Sequence, residues 1–252
     1  MKPGTIWVAG KEHSVDVEVA ESGVPIASRA MRWLPPDKGA YAASGPATCI
    51  CLHDKGAEGT ATQTYAFLKQ KGLGVHASID ADGSFTQYAD PATTRTYHAG
   101  KINDFSVGIE IANSMFPDLR KRKPGEKWVA FLERMNVAAR PIVRRPYRGW
   151  NQPVYGHFDV QIESVVKVVT ALCGALDIPR RVLVDSKGRP WGGLLPGLTT
   201  SPLDKKKVVG TIAPEYRRGV VAHLHATNGH VDPASDVFLA LVASGFEATV
   251  VA

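Results

Sequence analysis

Eight histidines are spread along the chain: His13, His53, His76, His98, His157, His223, His225 and His230. Imidazole is the commonest metal ligand among side chains, and a catalytic zinc site takes three protein ligands and leaves a fourth position for water. Two of the eight stand where a strand would deliver them. His53 directly follows the apolar run Thr48-Cys49-Ile50-Cys51-Leu52, and His223 follows Val220-Val221-Ala222 in the same relation. Asp232 comes nine residues after His223 in a Val-Asp-Pro turn, where its carboxylate can close a His-His-Asp set around one zinc ion. Two competitors share parts of this pattern. His157 lies in Gly156-His157-Phe158-Asp159 ahead of a helical segment, and His225 shares strand parity with His223 but lies further into the loop.

The elements that must position these residues read as a mixed α/β domain. The apolar run 48–52 predicts a buried strand. Gly59-Thr60 opens a helical pattern through Tyr65, Phe67 and Leu68 that Gly72 stops. Val75 to Asp80, the turn Ala81-Asp82-Gly83 and Ser84 to Tyr88 predict a hairpin, because Asp-Gly between β-prone runs supplies its turn. Ser106 to Ile111 reads as a further strand, and Trp128 to Ala139 as a helix. A helix capped by Asp159 is expected through Ile162, Val165, Val166, Val169, Leu172 and Leu176, ending before Pro179. Val220 to Ala222 is the last short buried strand, and a helix closes the chain after Pro233. Residues 1–45 read as an N-terminal arm. Residues 116–156, rich in Pro, Arg and Trp, and 181–218, rich in Gly and Pro, read as insertions in a catalytic domain over 46–252.

Composition narrows the function classes. A chain of 252 residues that is 44% hydrophobic, with no long block of one charge, buries a core and does not belong with disordered proteins. The formal charge of +6, with clusters such as Lys121-Arg122-Lys123 and Lys205-Lys206-Lys207, favours an anionic partner: nucleic acid, a membrane surface or a bacterial wall. No RNA-binding or helix-turn-helix signature accompanies the clusters, which sets nucleic acid aside. No run approaches the roughly 18 apolar residues of a membrane span, and Met1 to Gly10 holds no signal-peptide core. Synthesis in the cytoplasm is expected, with action on the wall following lysis or non-classical export. Cys49, Cys51 and Cys173 are too few for a disulfide framework and are expected as buried thiols.

A family resemblance joins these pieces. The segment Val75-His76-Ala77-Ser78-Ile79-Asp80-Ala81-Asp82-Gly83-Ser84, then Tyr97-His98-Ala99-Gly100 and Asn103-Asp104-Phe105-Ser106-Val107-Gly108-Ile109-Glu110-Ile111, resembles the N-acetylmuramoyl-L-alanine amidases of the amidase-2 type, which include phage lysozyme-like amidases and peptidoglycan recognition proteins. The likeness is strong over 46–113 and looser over 155–240. It implies a mixed central β-sheet flanked by helices, with a zinc site at one edge of the sheet. It implies His53, His223 and Asp232 as zinc ligands, Glu110 as general base and His98 as a lining of the substrate groove. Two positions depart from the family pattern: His230 stands where its catalytic lysine is found, and Val75 where some members carry tyrosine. His230 is therefore expected to donate the hydrogen bond that stabilises the oxyanion. The family's second ligand follows the long helix, which favours His223 over His157.

The implied reaction is hydrolysis of the amide between N-acetylmuramic acid and L-alanine in peptidoglycan, as in a phage lysin or antibacterial enzyme. Muropeptide recycling and non-catalytic peptidoglycan binding are the alternatives, and no nucleic acid partner is implied.

Overall fold

The run 48–52 holds the centre of the molecule. It becomes β4 (Cys49–Asp54), a strand buried along its whole length, as expected of a strand covered on both faces. On one side it pairs in parallel with β14 (Gly219–Ala222), on the other with β8 (Ser106–Ile111). The full sheet has seven strands in the order β15 (Glu247–Val250), β11 (Arg181–Val184), β14, β4, β8, β5 (Ala77–Ile79), β6 (Phe85–Gln87). All neighbours run parallel except the β5–β6 hairpin at one margin. This computed structural model describes residues 4–15, 39–136, 138–144, 153–204, 207–228, 230 and 232–251.

Strand alternation divides the core into two faces. Ile50 and Leu52 of β4, with Val107, Ile109 and Ile111 of β8, pack beneath α3 (Asp159–Leu176) and α4 (Asp236–Ala243). Cys49 and Cys51 face the other way, against Ile102, Leu183, Leu195 and Val221, and both are free buried thiols. Helix α1 (Ala61–Lys71) lies at the β5 side, with Thr60 accepting from the Gln63 amide and Gly72 in the left-handed conformation that ends it.

Smaller pairs surround the sheet. The hairpin of β1 (Gly4–Val8) and β2 (Lys11–Val15) packs on α3 and sends Ile6, Val8 and Val15 into the main core, so this part of the arm belongs to the body of the domain. Strand β3 (Ala40–Ala42) pairs with β7 (Thr94–Thr96), β9 (Ile142–Arg144) with β10 (Pro153–Tyr155), and β12 (Leu198–Thr200) with β13 (Val208–Gly210). Three sequence expectations shift. Helix α3 is capped by Phe158, with Asp159 as its first residue. Helix α2 (Trp128–Met135) ends four residues before Ala139. Arg181–Val184, read as the start of an insertion, is β11 inside the sheet, so the excursion begins after Val184.

One buried side chain ties the described part of the segment 116–156 to the body of the domain. Arg140 is fully buried and donates to Glu58 Oε1 (2.7 Å), Gln161 Oε1 (2.9 Å) and the carbonyls of Ala112 (2.8 Å) and Gly156 (3.2 Å). Removing the guanidinium deletes its hydrogen bonds to buried Gln161, Ala112 and Gly156 and its ion pair with the exposed Glu58. Arg140→Ala is therefore expected to lower unfolding free energy by about 2–4 kcal/mol in urea titrations, against under about 0.5 for the exposed Lys121→Ala.

Candidate metal centre

Ala222 on β14 lies opposite Leu52 on β4, and His53 lies opposite Glu110 on β8. The next residue after β14 is His223, so three polar side chains meet at the carboxyl-terminal edge of the sheet, where parallel sheets open to ligands. A 3-10 turn, His223–His225, then bends the chain, held by the Ala226 and Thr227 amides donating to the His223 carbonyl (3.0 and 3.3 Å). The following loop brings Asp232 back, its carbonyl accepting from the Leu224 amide (3.2 Å).

His53, His223 and Asp232 are all buried, and each offers one ligand atom within 4.8 Å of the others. His223 Nδ1 is 3.1 Å from Asp232 Oδ2, and His53 Nδ1 is 4.0 Å from the same oxygen. Among the described residues one other such group occurs, Cys51, His53 and His98. Burial, then the neighbouring His223 and His98, holds His53 well below the usual imidazole range, so it is neutral. Burial opposes charge on Asp232, but His223 beside it outweighs this and holds the carboxyl well below its usual range.

Which nitrogen of His53 carries the proton follows from a chain of hydrogen bonds. Ser106 Oγ donates to the Ile102 carbonyl (2.6 Å) and so accepts from His98 Nε2 (2.9 Å). Burial, then His76 and His223, keeps His98 neutral, which leaves its Nδ1 as an acceptor. That acceptor lies 2.9 Å from His53 Nε2, which must donate. His53 Nδ1 therefore presents a lone pair toward a carboxylate oxygen 4.0 Å away. Two acceptors facing each other at that spacing form no hydrogen bond, and a cation between them would satisfy both. Two imidazole nitrogens and one carboxylate oxygen are a donor set that suits zinc.

His98, expected along a substrate groove, thus sits half-buried against His53. Gly108 makes room for it, because a Cβ there would come within 2.7 Å of the His98 ring. Asn103 fixes its backbone by accepting from the amides of His98 (3.1 Å) and Ala99 (2.7 Å). Glu110 lies on the same face of β8 as Gly108. Its side chain is only half-buried, but Oε2 is enclosed with no hydrogen-bond partner among the described residues. Burial, then the charge of Asp232, pushes its carboxyl up to about 8. The His230 ring stacks 3.7 Å from that of His223 and is half exposed, with Nδ1 3.5 Å from Asp232 Oδ1.

Three other histidines are committed elsewhere. His225 accepts from the Ala222 amide at Nδ1 (3.0 Å), and its Nε2 faces the Trp191 carbonyl (2.9 Å). His76 accepts from the Gly108 amide (3.0 Å) and faces the Thr94 carbonyl (3.0 Å). His157 lies between Asp54 Oδ1 (2.7 Å) and Asp236 Oδ1 (2.9 Å). Burial alone would lower its pKa, but the two carboxylates overcome this and push it up to about 10. Sequence reasoning passed over Asp54 and Ser106. The position of Asp54 next to His53 was the one signal available for it, and Ser106 had none.

A family model described as N-acetylmuramoyl-L-alanine amidase matches residues 43–235. No curated protein matches the chain. Among solved structures, a selenomethionine derivative of AmpD is similar at 18% identity, over 52% of this chain and 66% of that one, with a TM-score of 0.31. The N-acetylmuramyl-L-alanine amidase AmiD from E. coli, in complex with the substrate anhydro-N-acetylmuramic acid-L-Ala-D-gamma-Glu-L-Lys, is similar at 13% identity, over 70% of this chain and 55% of that one, with a TM-score of 0.34. The matched region thus spans about two thirds and about half of those two proteins' lengths.

The raised Glu110 pKa has a consequence for stability. The folded chain holds this proton up to about pH 8, whereas the unfolded chain releases it near the ordinary value of 4.5. Between these limits the native state binds more protons at this carboxyl, so the Glu110 contribution to the stability of the metal-free protein falls as pH rises. Denaturant unfolding of metal-free protein from pH 5 to 8 is expected to show wild-type stability falling relative to that of Glu110→Gln as pH rises. Parallel curves would mean that Glu110 ionises normally.

Proposed function

We propose that this chain, which belongs to the N-acetylmuramoyl-L-alanine amidase family, is a zinc-dependent hydrolase of the amide between N-acetylmuramic acid and L-alanine in peptidoglycan. The observation that carries this reading is the convergence of His53 Nδ1, His223 Nδ1 and Asp232 Oδ2, with Glu110 in register beside His53. In this reading those three residues hold one zinc ion. Bound there, zinc supplies Lewis-acid polarisation of the scissile carbonyl and lowers the pKa of a coordinated water to about 7.

The chain's own groups supply the rest. Glu110 takes the proton of the attacking water and delivers it to the departing alanine nitrogen, a role for its ionised form, which a zinc ion beside it would favour. His230, half exposed beside the metal ligands, donates a hydrogen bond to the carbonyl oxygen as negative charge develops on it. His98 and Ser106 hold His53 in the tautomer that leaves Nδ1 free. A cavity of about 230 Å³ lies between the turns that carry His98 and His223, lined by Gly100, Lys101, Val208, Ala226, Thr227 and Asn228. It offers room for the stem peptide, with Lys101 facing peptide carboxylates. The net charge of +6 supports attraction to the polyanionic wall, and with it a role in wall lysis as a phage lysin or antibacterial enzyme.

Product analysis tests the reaction. Digestion of intact sacculi is expected to release L-alanine amino ends without new reducing sugar ends, to stop on chelation and to resume with added zinc. Reducing ends in place of amino ends would make the enzyme a glycosidase. Glu110→Gln is expected to keep one equivalent of zinc and bind peptidoglycan while losing most of its turnover.

His230 has its own test. If it stabilises the oxyanion, His230→Ala keeps zinc and loses about 10²–10³ in turnover, and His230→Lys recovers much of that loss. Metal lost from His230→Ala would make it a ligand, and an unchanged rate with full metal would leave it no role.

A further inference from the structure

Behind the metal centre, on the opposite face of β4, lies a polar group that the proposed reaction does not use. Asp54 follows His53, so strand alternation turns its side chain toward α3 and α4. There it meets His157, which is fully buried just before α3, with Nε2 at 2.7 Å from Asp54 Oδ1. Asp236, the first residue of α4, grips His157 with both oxygens: Oδ1 at 2.9 Å from Nδ1, and Oδ2 accepting from the His157 amide at 2.7 Å. The second oxygen of Asp54 accepts from the Ala234 amide (3.2 Å) and from Asn113 Nδ2 (3.3 Å). The Asp54 amide itself donates to Asp232 Oδ2 (3.2 Å), the same oxygen that faces His53 and His223.

Two features separate this group from catalysis. Asp54 and His157 are buried and Asp236 is largely enclosed, and both His157 nitrogens and both Asp54 oxygens already have partners, so neither residue has a free position for substrate or metal. Its contacts also fall on the chain around Asp232. Ala234 lies two residues beyond that aspartate and Asp236 four, and Asp54 reaches Asp232 directly. Asp232 lies outside any helix or strand and needs such fixing, because a metal ligand must be held to within about 0.5 Å of its bonding geometry.

We propose that Asp54, His157 and Asp236 form a buried brace that positions Asp232, pinning the 232–236 segment to the end of β4 so that Oδ2 meets the Nδ1 atoms of His53 and His223. His157 is the positioning residue at its centre, joining the start of α3, the start of α4 and the end of β4 in one contact set. Burying two carboxylates without such a partner would be strongly unfavourable, so the imidazole both holds the segment and allows the carboxylates to be there. Its role is to raise metal affinity by preorganisation, not to bind metal.

This inference rests on the zinc reading, and competition with a chromophoric chelator separates the two. Wild-type protein is expected to bind one zinc, and His53→Ala to lose it. Equal zinc binding by those two would sink the zinc reading and the brace with it. With that established, His157→Asn and Asp236→Asn are expected to weaken zinc affinity about 10–100-fold. Circular dichroism at the assay temperature checks that each metal-free variant is folded. Val168→Ala, a core truncation in α3 remote from the brace, controls for lost stability and is expected to keep wild-type affinity. Should His157→Asn not fold, the less enclosed Asp236→Asn decides the matter alone. Wild-type zinc affinity in a folded Asp236→Asn protein would overturn the brace, as would an equal loss in Val168→Ala.

Discussion

The register of β4 between β14 and β8 is the constraint on which the rest of the molecule depends. Pairing Leu52 with Ala222 puts His223 beside His53, and pairing His53 with Glu110 puts that carboxylate on the other side of His53. A slip of one residue would reverse every side chain of β4, sending His53 beneath the helices and Asp54 toward His98. Such a slip is opposed by the core, since Ile50 and Leu52 would then leave the face where Val165, Val168 and Val169 cover them. Packing on one face of the sheet thus holds the chemistry on the other, and the helices positioned by that packing supply the residues behind Asp232.

Electrostatics at the site follow from this placement. Two imidazoles and two carboxylates are drawn wholly or partly out of water, and their protonation departs from that of free side chains in opposite senses. His53 and His98 are kept neutral, Glu110 keeps its proton toward pH 8, and Asp232 stays ionised through its histidine neighbours. The carbonyl of Ile102 lies three links from His53 Nδ1, yet by accepting from Ser106 it decides which nitrogen of His53 is free. A cluster that turns a lone pair and a carboxylate toward one point is arranged for a cation.

Much of this was legible in the residue order. A strand-end histidine can be read from the apolar run before it, which is why His53 and His223 could be placed, and the Asp-Gly turn announced the β5–β6 hairpin. What escaped depends on contacts between distant segments. His157 looks like a ligand in sequence, but its partners lie 103 and 79 residues away and consume both nitrogens. His98 reads as a lining of the substrate groove, and only the absence of a Cβ at Gly108 lets its ring settle against β8. Arg140 sits in a segment that reads as a polar insertion, although its buried guanidinium binds Glu58 and Gln161. The strand Arg181–Val184 is short and flanked by Gly- and Pro-rich chain, so nothing local set it apart from a loop.

In the proposed function a zinc ion would be held by His53, His223 and Asp232 and not by the neighbouring group of Cys51, His53 and His98. Zinc-edge X-ray absorption on the stoichiometric zinc protein tests this most directly, because nitrogen and oxygen ligands lie at about 2.0–2.2 Å and thiolate sulfur at about 2.3 Å. The account predicts a first shell of nitrogen and oxygen only, with outer-shell scattering from two imidazoles. A sulfur contribution near 2.3 Å, or scattering from three imidazoles, would contradict it.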